Sequence, residues 1–479
     1  MQNFTTHIDA LTRKRSGIKI RSVSWPVKNA MIICAVCMAT SCKKFVEIPP
    51  AINQVVTSVV FANDASATSA VVGLYSQMTP SNLLFMNGAL SVYPGLSADE
   101  LIYNSTSTTI LPFYQNSIPS NNTIIHTQIW KYAYSHIYQI NACLEALNNS
   151  TTITASVKQQ LIGEMEFCRA LCYFYLTNLF GDIPLVTTTD YAINDIMPRT
   201  ASPLVYKQMV ADLLNAQGLL STAYPTSGPV RPNKWAATAL LARIYLYQND
   251  WANAEAQATM VINSGSYNLV SNLNNVFLAN SPEAIWQLIP VNPSYNTAEG
   301  ATFIPSSATI VPTYTLNNYL LNAFEATDQR KVAWLNKNTV NGVSYYYPYK
   351  YKVMSSSTKT EYSNVLRLAE QYLIRAEARA QQGNISNAVA DINVIRSRAG
   401  LTGLSATLSQ GACLAAVAQE NRIEFFAEWG HRWFDLVRTA QANTVLGVEK
   451  TGWQPYAALY PIPIGEITTD IYLTQNPGY

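Results

Sequence analysis

Three glutamates near the carboxyl end of the chain stand four residues apart, at Glu420, Glu424 and Glu428. Glycosidases use pairs of carboxylates as general acid and general base, and inverting enzymes hold theirs about 6.5–9.5 Å apart. Side chains four residues apart on one helix approach that separation. Catalytic carboxylates normally face each other across a cleft, however, whereas these three would follow one row of a single helix.

Arginines interleaved with these glutamates favour a structural role for the row. At helical spacing we expect Glu428 to pair with Arg432 and Asp435 to pair with Arg438. An ion-pair network accounts for the charges without any reaction, although an exported glycosidase stays open as an alternative. We therefore predict a structural cluster and no catalytic residue.

The thiol of Cys42 is the second group that could take part in chemistry. An apolar run from Ala30 to Ala39 comes shortly before it, and this run is too short to cross a bilayer. A segment rich in Lys and Arg comes before the apolar run. This arrangement resembles a bacterial lipoprotein signal, in which cleavage leaves the cysteine first and the thiol receives an acyl chain such as palmitate. An ordinary cleaved signal with an incidental cysteine is the alternative. We expect residues 1–41 to be the signal peptide and Cys42 to carry the lipid.

Composition excludes several partners. Removing residues 1–41 takes away six basic residues and one acid, so the net charge changes from +2 to about −3. Nucleic-acid binding requires a clear positive excess, which this chain lacks. The four histidines show no ligand spacing with cysteines or carboxylates, so we expect neither a metal site nor a cofactor.

The elements that would position any site are predicted to be paired helices. Apolar residues recur every three or four positions from Trp130 to Leu147 and again from Leu161 to Leu179, where Gly181 marks a helix end. Two such helices in succession predict an antiparallel hairpin.

Two later segments repeat one another. The stretch from Ala242 aligns with the stretch from Ala376, and Ala254 then aligns with Ala388. Helix pairs with alanines at fixed offsets are typical of tetratricopeptide repeats, although Ala-rich hairpins of no particular family are the alternative. We predict a mainly α fold in which tetratricopeptide-like hairpins form a scaffold that carries long loops and a few short strands.

Three C-terminal stretches carry a family resemblance: Val365–Leu401, Asn421–Arg438 and Leu459–Tyr479, which ends QNPGY. In this order they resemble the C-terminal half of the SusD/RagB family, and Gly163–Val186 is similar to its N-terminal region. The resemblance implies a SusD-like α/α superhelix, with an N-terminal region over 42–270 and a C-terminal region over 271–479 that together form one globular unit.

The resemblance also implies a function. Members are outward-facing outer-membrane lipoproteins that capture glycans, or in some cases peptides, and act as lids on TonB-dependent transporters of the SusC type. They are not enzymes. Lys43, which follows Cys42, agrees with an outer-membrane location, because in this signal class a lysine at that position implies delivery to the outer membrane. Fold analogy carries most of this functional expectation.

Two irregular regions, residues 82–125 and 264–360, are predicted to hold the ligand. Sugar recognition needs flat rings for the C–H face of a pyranose and amide or carboxylate groups for its hydroxyls. Alternatively, the rings pack beneath their own loops or touch the transporter. The predicted ligand-binding residues are Tyr93, Asp99, Tyr103, Asn104, Tyr295, Trp334 and Tyr346.

We therefore expect a cell-surface lipoprotein that binds an oligosaccharide and delivers it to a SusC-like transporter. A peptide-binding member of the same family is the first alternative. A tetratricopeptide module that binds other proteins is the second.

Overall fold

The computed structural model describes residues 60–479, so the signal peptide and Cys42 lie outside the described residues. The α-helices are α1 (Asp64–Met78), α2 (Ala89–Ser97), α3 (Leu111–Gln115), α4 (Lys131–Asn149), α5 (Ala155–Phe180), α6 (Tyr191–Asn194), α7 (Ser202–Leu219), α8 (Lys234–Tyr247), α9 (Trp251–Asn263), α10 (Ala298–Phe303), α11 (Asn318–Ala323), α12 (Gln329–Trp334), α13 (Leu368–Gln381), α14 (Ile385–Arg398), α15 (Gln410–Glu424), α16 (His431–Arg438), α17 (Ala442–Glu449) and α18 (Ile464–Thr469). The strands are β1 (Leu101–Tyr103), β2 (Ala284–Leu288), β3 (Tyr314–Leu316), β4 (Leu335–Val340), β5 (Val343–Pro348) and β6 (Ser363–Arg367).

Helices α4 and α5 form the predicted hairpin. A π-helical turn over Ile124–Trp130 leads into α4, and α5 ends at Gly181, whose φ of 75° favours glycine. Nearly all of the second half of α5 is buried, including Cys168 and Cys172, so this helix runs through the main core. The mainly α prediction is confirmed.

The two repeated segments are also confirmed as helix pairs, α8–α9 and α13–α14. Asn249 and Gly383 adopt left-handed conformations at equivalent turns, with φ of 59° and 80°. Within each pair the aligned alanines are buried in one cluster, because a methyl group at the crossing point lets the helices approach closely. Helix α9 also packs against α13, so the pairs stack into a tetratricopeptide-like scaffold.

The strands of the described region form three antiparallel pairs, β1–β3, β2–β6 and β4–β5. The first two pairs join segments that are far apart in sequence, whereas β4 and β5 form a local hairpin closed at Asn341 and Gly342, which both have positive φ. The strands thereby fix the two long irregular regions against the helices. Within residues 60–479, no helix is long and apolar enough to cross a membrane.

Candidate functional site

The pairing of β1 with β3 brings the two irregular regions together. Leu101 lies opposite Leu316 and Tyr103 lies opposite Tyr314 in the register of this ribbon. Just beyond the ribbon, the side chain of Asn104 donates to the carbonyl of Pro312 at 3.0 Å and to Thr315 Oγ1 at 2.8 Å. Residues that are some 200 positions apart therefore share one surface.

The β4–β5 hairpin joins the same surface. Asn338 is buried at 4% exposure, and its Nδ2 donates to the carbonyls of Ser307 and Ile310, each at 2.8 Å. These two bonds attach the hairpin to the loop that precedes β3. We call residues 101–110, 304–317 and 335–348 together the loop face.

The loop face offers both kinds of group that a saccharide needs. Asn104 and Ile310 are exposed, and Tyr346 is half-buried. The ammonium group of Lys337 lies 5.6 Å from the centroid of the Tyr346 ring, across the hairpin register. The surface thus combines a ring, a cation and an amide, which suits stacking and hydrogen bonding to a neutral, hydroxyl-rich ligand.

Two of the predicted rings support this surface from below. Tyr93 is 1% exposed, stacks on Phe113 with ring centroids 4.7 Å apart, and donates its hydroxyl to Gln128 at 2.9 Å. Burial raises its pKa. Tyr103 is also buried, and its ring lies 5.6 Å from that of Tyr314. These rings are therefore placed to hold the ribbon rather than to meet a ligand.

Asp99 faces the helices instead of the loops. It is fully buried, and Arg432 donates to both of its carboxylate oxygens at 2.7 and 2.8 Å, while Arg422 donates as well. Burial alone would raise the pKa of Asp99, but these guanidinium groups hold it below its usual value. With its oxygens occupied, Asp99 joins the N-terminal region to α15 and α16.

Tyr295 and Trp334 lie apart from the loop face. Tyr295 is buried at 7% exposure, and its hydroxyl accepts a 3.4 Å bond from Asn87. Trp334 is fully buried, donates from Nε1 to the carbonyl of Leu273 at 2.9 Å, and packs against Phe277. Both rings are buried, and of the seven predicted residues the structure leaves only Asn104 and Tyr346 open to solvent.

The glutamate row is enclosed by basic side chains, as the ion-pair interpretation predicted. Glu424 binds Arg367 at 2.6 Å, Arg330 at 3.1 Å, and Arg398. Burial alone would raise the pKa of Glu424, but the three arginines hold it well below its ordinary value. Glu420 and Glu428 are paired with basic residues in the same way. A carboxylate that is permanently paired and buried cannot serve as an exchangeable acid or base.

One of the two predicted ion pairs is wrong. Asp435 does bind Arg438 at 2.7 Å, but Glu428 binds Lys350 and Arg367, while Arg432 binds Asp99. The reason is that α15 ends at Glu424. Ala427, Trp429 and Gly430 then take positive φ angles, so Glu428 and Arg432 do not share one helix.

Sequence reasoning missed the residues that complete the loop face, namely Tyr314, Lys337 and Asn338. The run of three consecutive tyrosines at 345–347 was the available signal for a strand, because aromatic residues are enriched in strands, and Asn341-Gly342 was the signal for its turn. No local signal pairs β1 with β3. Within the described part of the chain, no group of three potential ligands could hold a metal ion.

Comparison with known proteins gives two family matches. Residues 318–479 match the model of the SusD family. Residues 50–246 match the model described as "Starch-binding associating with outer membrane". The matched segments include α15 and α16 at one end and the α4–α5 hairpin at the other, so they contain the stretches in which the resemblance was recognised.

Whole-chain comparisons agree. SusD-like protein P25 from Formosa agariphila is 25% identical, over 92% of this chain and 97% of the relative. A SusD superfamily protein from Bacteroides vulgatus superposes with a TM-score of 0.76 at 19% identity, covering 88% of this chain and 100% of that one. A structure named a laminarin binding SusD-like protein superposes with a TM-score of 0.73 at 24% identity, covering 87% and 100%. The two superpositions establish the fold.

Proposed function

This chain belongs to the SusD family, which is a family of carbohydrate-binding proteins and not of enzymes, and from that premise we propose that it captures an oligosaccharide on the loop face. The observation that carries the proposal is the pairing of exposed Lys337 with half-buried Tyr346 across the β4–β5 hairpin, together with exposed Asn104, whose segment is joined to that hairpin through β3 and the loop before it. A ring on a hydrogen-bonded hairpin and an amide at the end of the ribbon recognise a sugar without a large ordering cost.

The choice of an oligosaccharide rests on chemistry and on relatives. One matching family is described as starch-binding, and one structure with the same fold is named as binding laminarin. Both starch and laminarin are neutral glucans. The loop face agrees, because Lys337 is accompanied by an aromatic ring rather than by a row of cations that an acidic polysaccharide would require.

We further propose that the protein is anchored at Cys42 and delivers its ligand to a SusC-like TonB-dependent transporter. The family description of association with the outer membrane supports an outward-facing location there. A stable complex with the transporter would bury at least about 1,200–2,000 Å². Replacing Cys42→Ala should move the protein from the membrane fraction to the soluble fraction, and full retention in the membrane would contradict the anchor.

The binding proposal is tested by applying the detergent-solubilised full chain to a glycan array, with peptide pools assayed in parallel. We expect retention of neutral glucans, weakened by Tyr346→Ala and left unchanged by Met260→Ala, which removes a 40% exposed side chain from α9. Retention of peptides alone would instead identify a peptide-binding member of the family. Retention of neither class would contradict both.

A further inference from the structure

A cleft of about 580 Å³ opens between α4, the segment around Pro184–Asp195, and the C-terminal segment that begins with α18. None of the residues that line it belongs to the loop face. Its volume lies within the range of about 300–1,000 Å³ that small-molecule sites usually occupy. We call it the helix cleft.

Aromatic side chains form one wall of the helix cleft. Trp130, Tyr134 and Tyr138 follow each other at intervals of four residues, so they rise along one face of the helical segment by about 6 Å per step. The rings of Trp130 and Tyr134 lie 4.9 Å apart, and the hydroxyl of Tyr134 donates to the carbonyl of Pro184 at 2.8 Å. Tyr138 is 55% exposed and presents an open ring at the mouth.

The rest of the lining is mixed: Pro184, Val186 and Leu473 are apolar, Lys131 is basic, and several other residues are acidic or polar. Asp195 and Asp470 bring carboxylates to the cleft, and Thr469 brings a hydroxyl. Asp470 Oδ1 accepts a 2.9 Å bond from the backbone N–H of Tyr472, which fixes its position. His126 Nε2 and Glu466 Oε1 lie 2.8 Å apart at one end of the cleft. The cleft thus offers rings for the C–H face of a pyranose and oxygen acceptors for its hydroxyls.

We propose that the helix cleft is a second saccharide-binding site, which takes a short neutral oligosaccharide independently of the loop face. This inference rests on the proposed carbohydrate-binding function. The open ring of Tyr138 meets the requirement for a stacking platform more fully than the buried rings of Tyr93 and Trp334 do. The carboxylates of Asp195 and Asp470 accept hydrogen bonds from adjacent hydroxyls of the sugar.

A docked protein is the other possible class of occupant, because Ile193, Ile196 and Ile471 are more than half exposed and adjoin the lining residues Asn194, Asp195 and Asp470 in sequence. A protein that filled the cleft would desolvate the carboxylates of Asp195 and Asp470, which is costly unless it supplies basic partners. A saccharide satisfies the same oxygens with its hydroxyls. The lining therefore favours the saccharide.

The test is a calorimetric titration of the detergent-solubilised full chain with maltohexaose and with laminarihexaose. Wild type is compared with Tyr138→Ala, with Ser135→Trp, which fills the cleft, with the loop-face variant Tyr346→Ala, and with the control Met260→Ala. We expect two binding events in wild type. Tyr138→Ala should weaken one event about fivefold, Ser135→Trp should abolish that event, and Tyr346→Ala should weaken only the other.

A single event that both cleft variants leave unchanged, while Tyr346→Ala weakens it, would overturn the second site and leave the proposed function intact. Absence of any binding in wild type would overturn both. A photo-crosslinking amino acid at position 138 gives an independent readout. If it captures a protein in intact cells while both titration events persist in the cleft variants, the helix cleft docks a protein and the saccharide assignment is overturned.

Discussion

Arg367, at the end of β6, donates from Nη1 to Oε1 of Glu424, at the end of α15, over 2.6 Å. The Arg367 side chain is 3% exposed and that of Glu424 is fully buried, so the pair joins the strand to the scaffold inside the protein. The same guanidinium also reaches Glu428 and Glu283 at 3.0 Å. The residues that most suggested catalysis in the sequence therefore join β6 to the helices within the C-terminal region.

Removing one charge from this network should destabilise the protein strongly. Glu424→Gln keeps the shape of the side chain but leaves Arg330, Arg367 and Arg398 with an unbalanced buried charge. We expect a loss of about 3–5 kcal/mol in the free energy of unfolding, measured by chemical denaturation.

The matched control is Glu325→Gln, because the Glu325 side chain is 47% exposed and pairs with Arg396 at 2.6 Å. An exposed pair of this kind contributes about 0–1 kcal/mol. Equal effects of the two substitutions would show that the buried network has no special role in stability.

Buried His136 should contribute a loss of stability as the pH decreases from about 6.5 to about 4. His136 is 2% exposed, neither ring nitrogen has a hydrogen-bond partner, and burial lowers its pKa to about 4. The unfolded chain binds this proton below about pH 6.5, whereas the folded chain binds it only below about pH 4. The folded state therefore loses about 3 kcal/mol between those limits.

Denaturation of wild type and His136→Leu at several pH values between 4 and 7 checks this prediction. The variant should lose most of the slope that His136 contributes and should be no less stable at pH 7, because no hydrogen bond is removed. Other groups contribute to the residual slope. They include His431, whose pKa burial and the nearby Arg243 also lower, and Glu100, whose pKa burial raises to about 8 and whose contribution has the opposite sign. Identical pH slopes in the two proteins would mean that His136 is not buried as neutral imidazole.

Two glycines should respond to alanine in opposite directions. Gly430 has a φ of 71°, and an added Cβ would lie 2.9 Å from Phe434 Cε2 and 3.0 Å from Pro94 Cβ. Gly430→Ala should cost about 2 kcal/mol or more through backbone strain and contact. Gly411 lies in α15 with no atom within 4 Å of its added Cβ, so Gly411→Ala should stabilise by up to about 1 kcal/mol. Thermal melting of both variants checks this prediction. A Gly430→Ala variant that is as stable as wild type would contradict the tight turn at Gly430.

The placements of Trp334 and Tyr346 separate a stability effect from a binding effect. Trp334→Ala empties a fully buried site and should cost about 3–5 kcal/mol in the free energy of unfolding. Tyr346→Ala should change stability by less than about 1 kcal/mol and weaken saccharide binding about fivefold. Denaturation and titration of both variants give the comparison. If Trp334→Ala is as stable as wild type but no longer binds the saccharide, Trp334 is a ligand-binding residue after all.

Helices and repeats were predictable from the sequence because their signals are local. The spacing of apolar residues located α4 and α5, and the alanines at fixed offsets located α8–α9 and α13–α14. The end of α15 was not predicted. Beyond it, Ala427, Trp429 and Gly430 take positive φ angles, and the residue types Ala and Trp do not indicate such angles. The pairing of Glu428 was wrong for the same reason.

The ligand surface was harder to predict, because residue type cannot tell an exposed ring from a buried one. Tyr93 and Tyr346 satisfy the same compositional rule, yet one stacks under the ribbon and the other is half-exposed on the hairpin. The contact between β1 and β3 spans more than 200 residues and decides which loops meet. Long-range pairing of that kind has no local sequence signature.

The central claim is that the loop face binds a neutral saccharide without cleaving it. Its most direct test is titration of wild type, Tyr346→Ala and the control Met260→Ala with maltohexaose and laminarihexaose, followed by chromatography of the sugar after prolonged incubation. We expect binding that Tyr346→Ala weakens about fivefold, that Met260→Ala preserves, and that leaves the sugar intact. Shortened sugar that disappears in Glu424→Gln, or binding that Tyr346→Ala leaves unchanged, would contradict it.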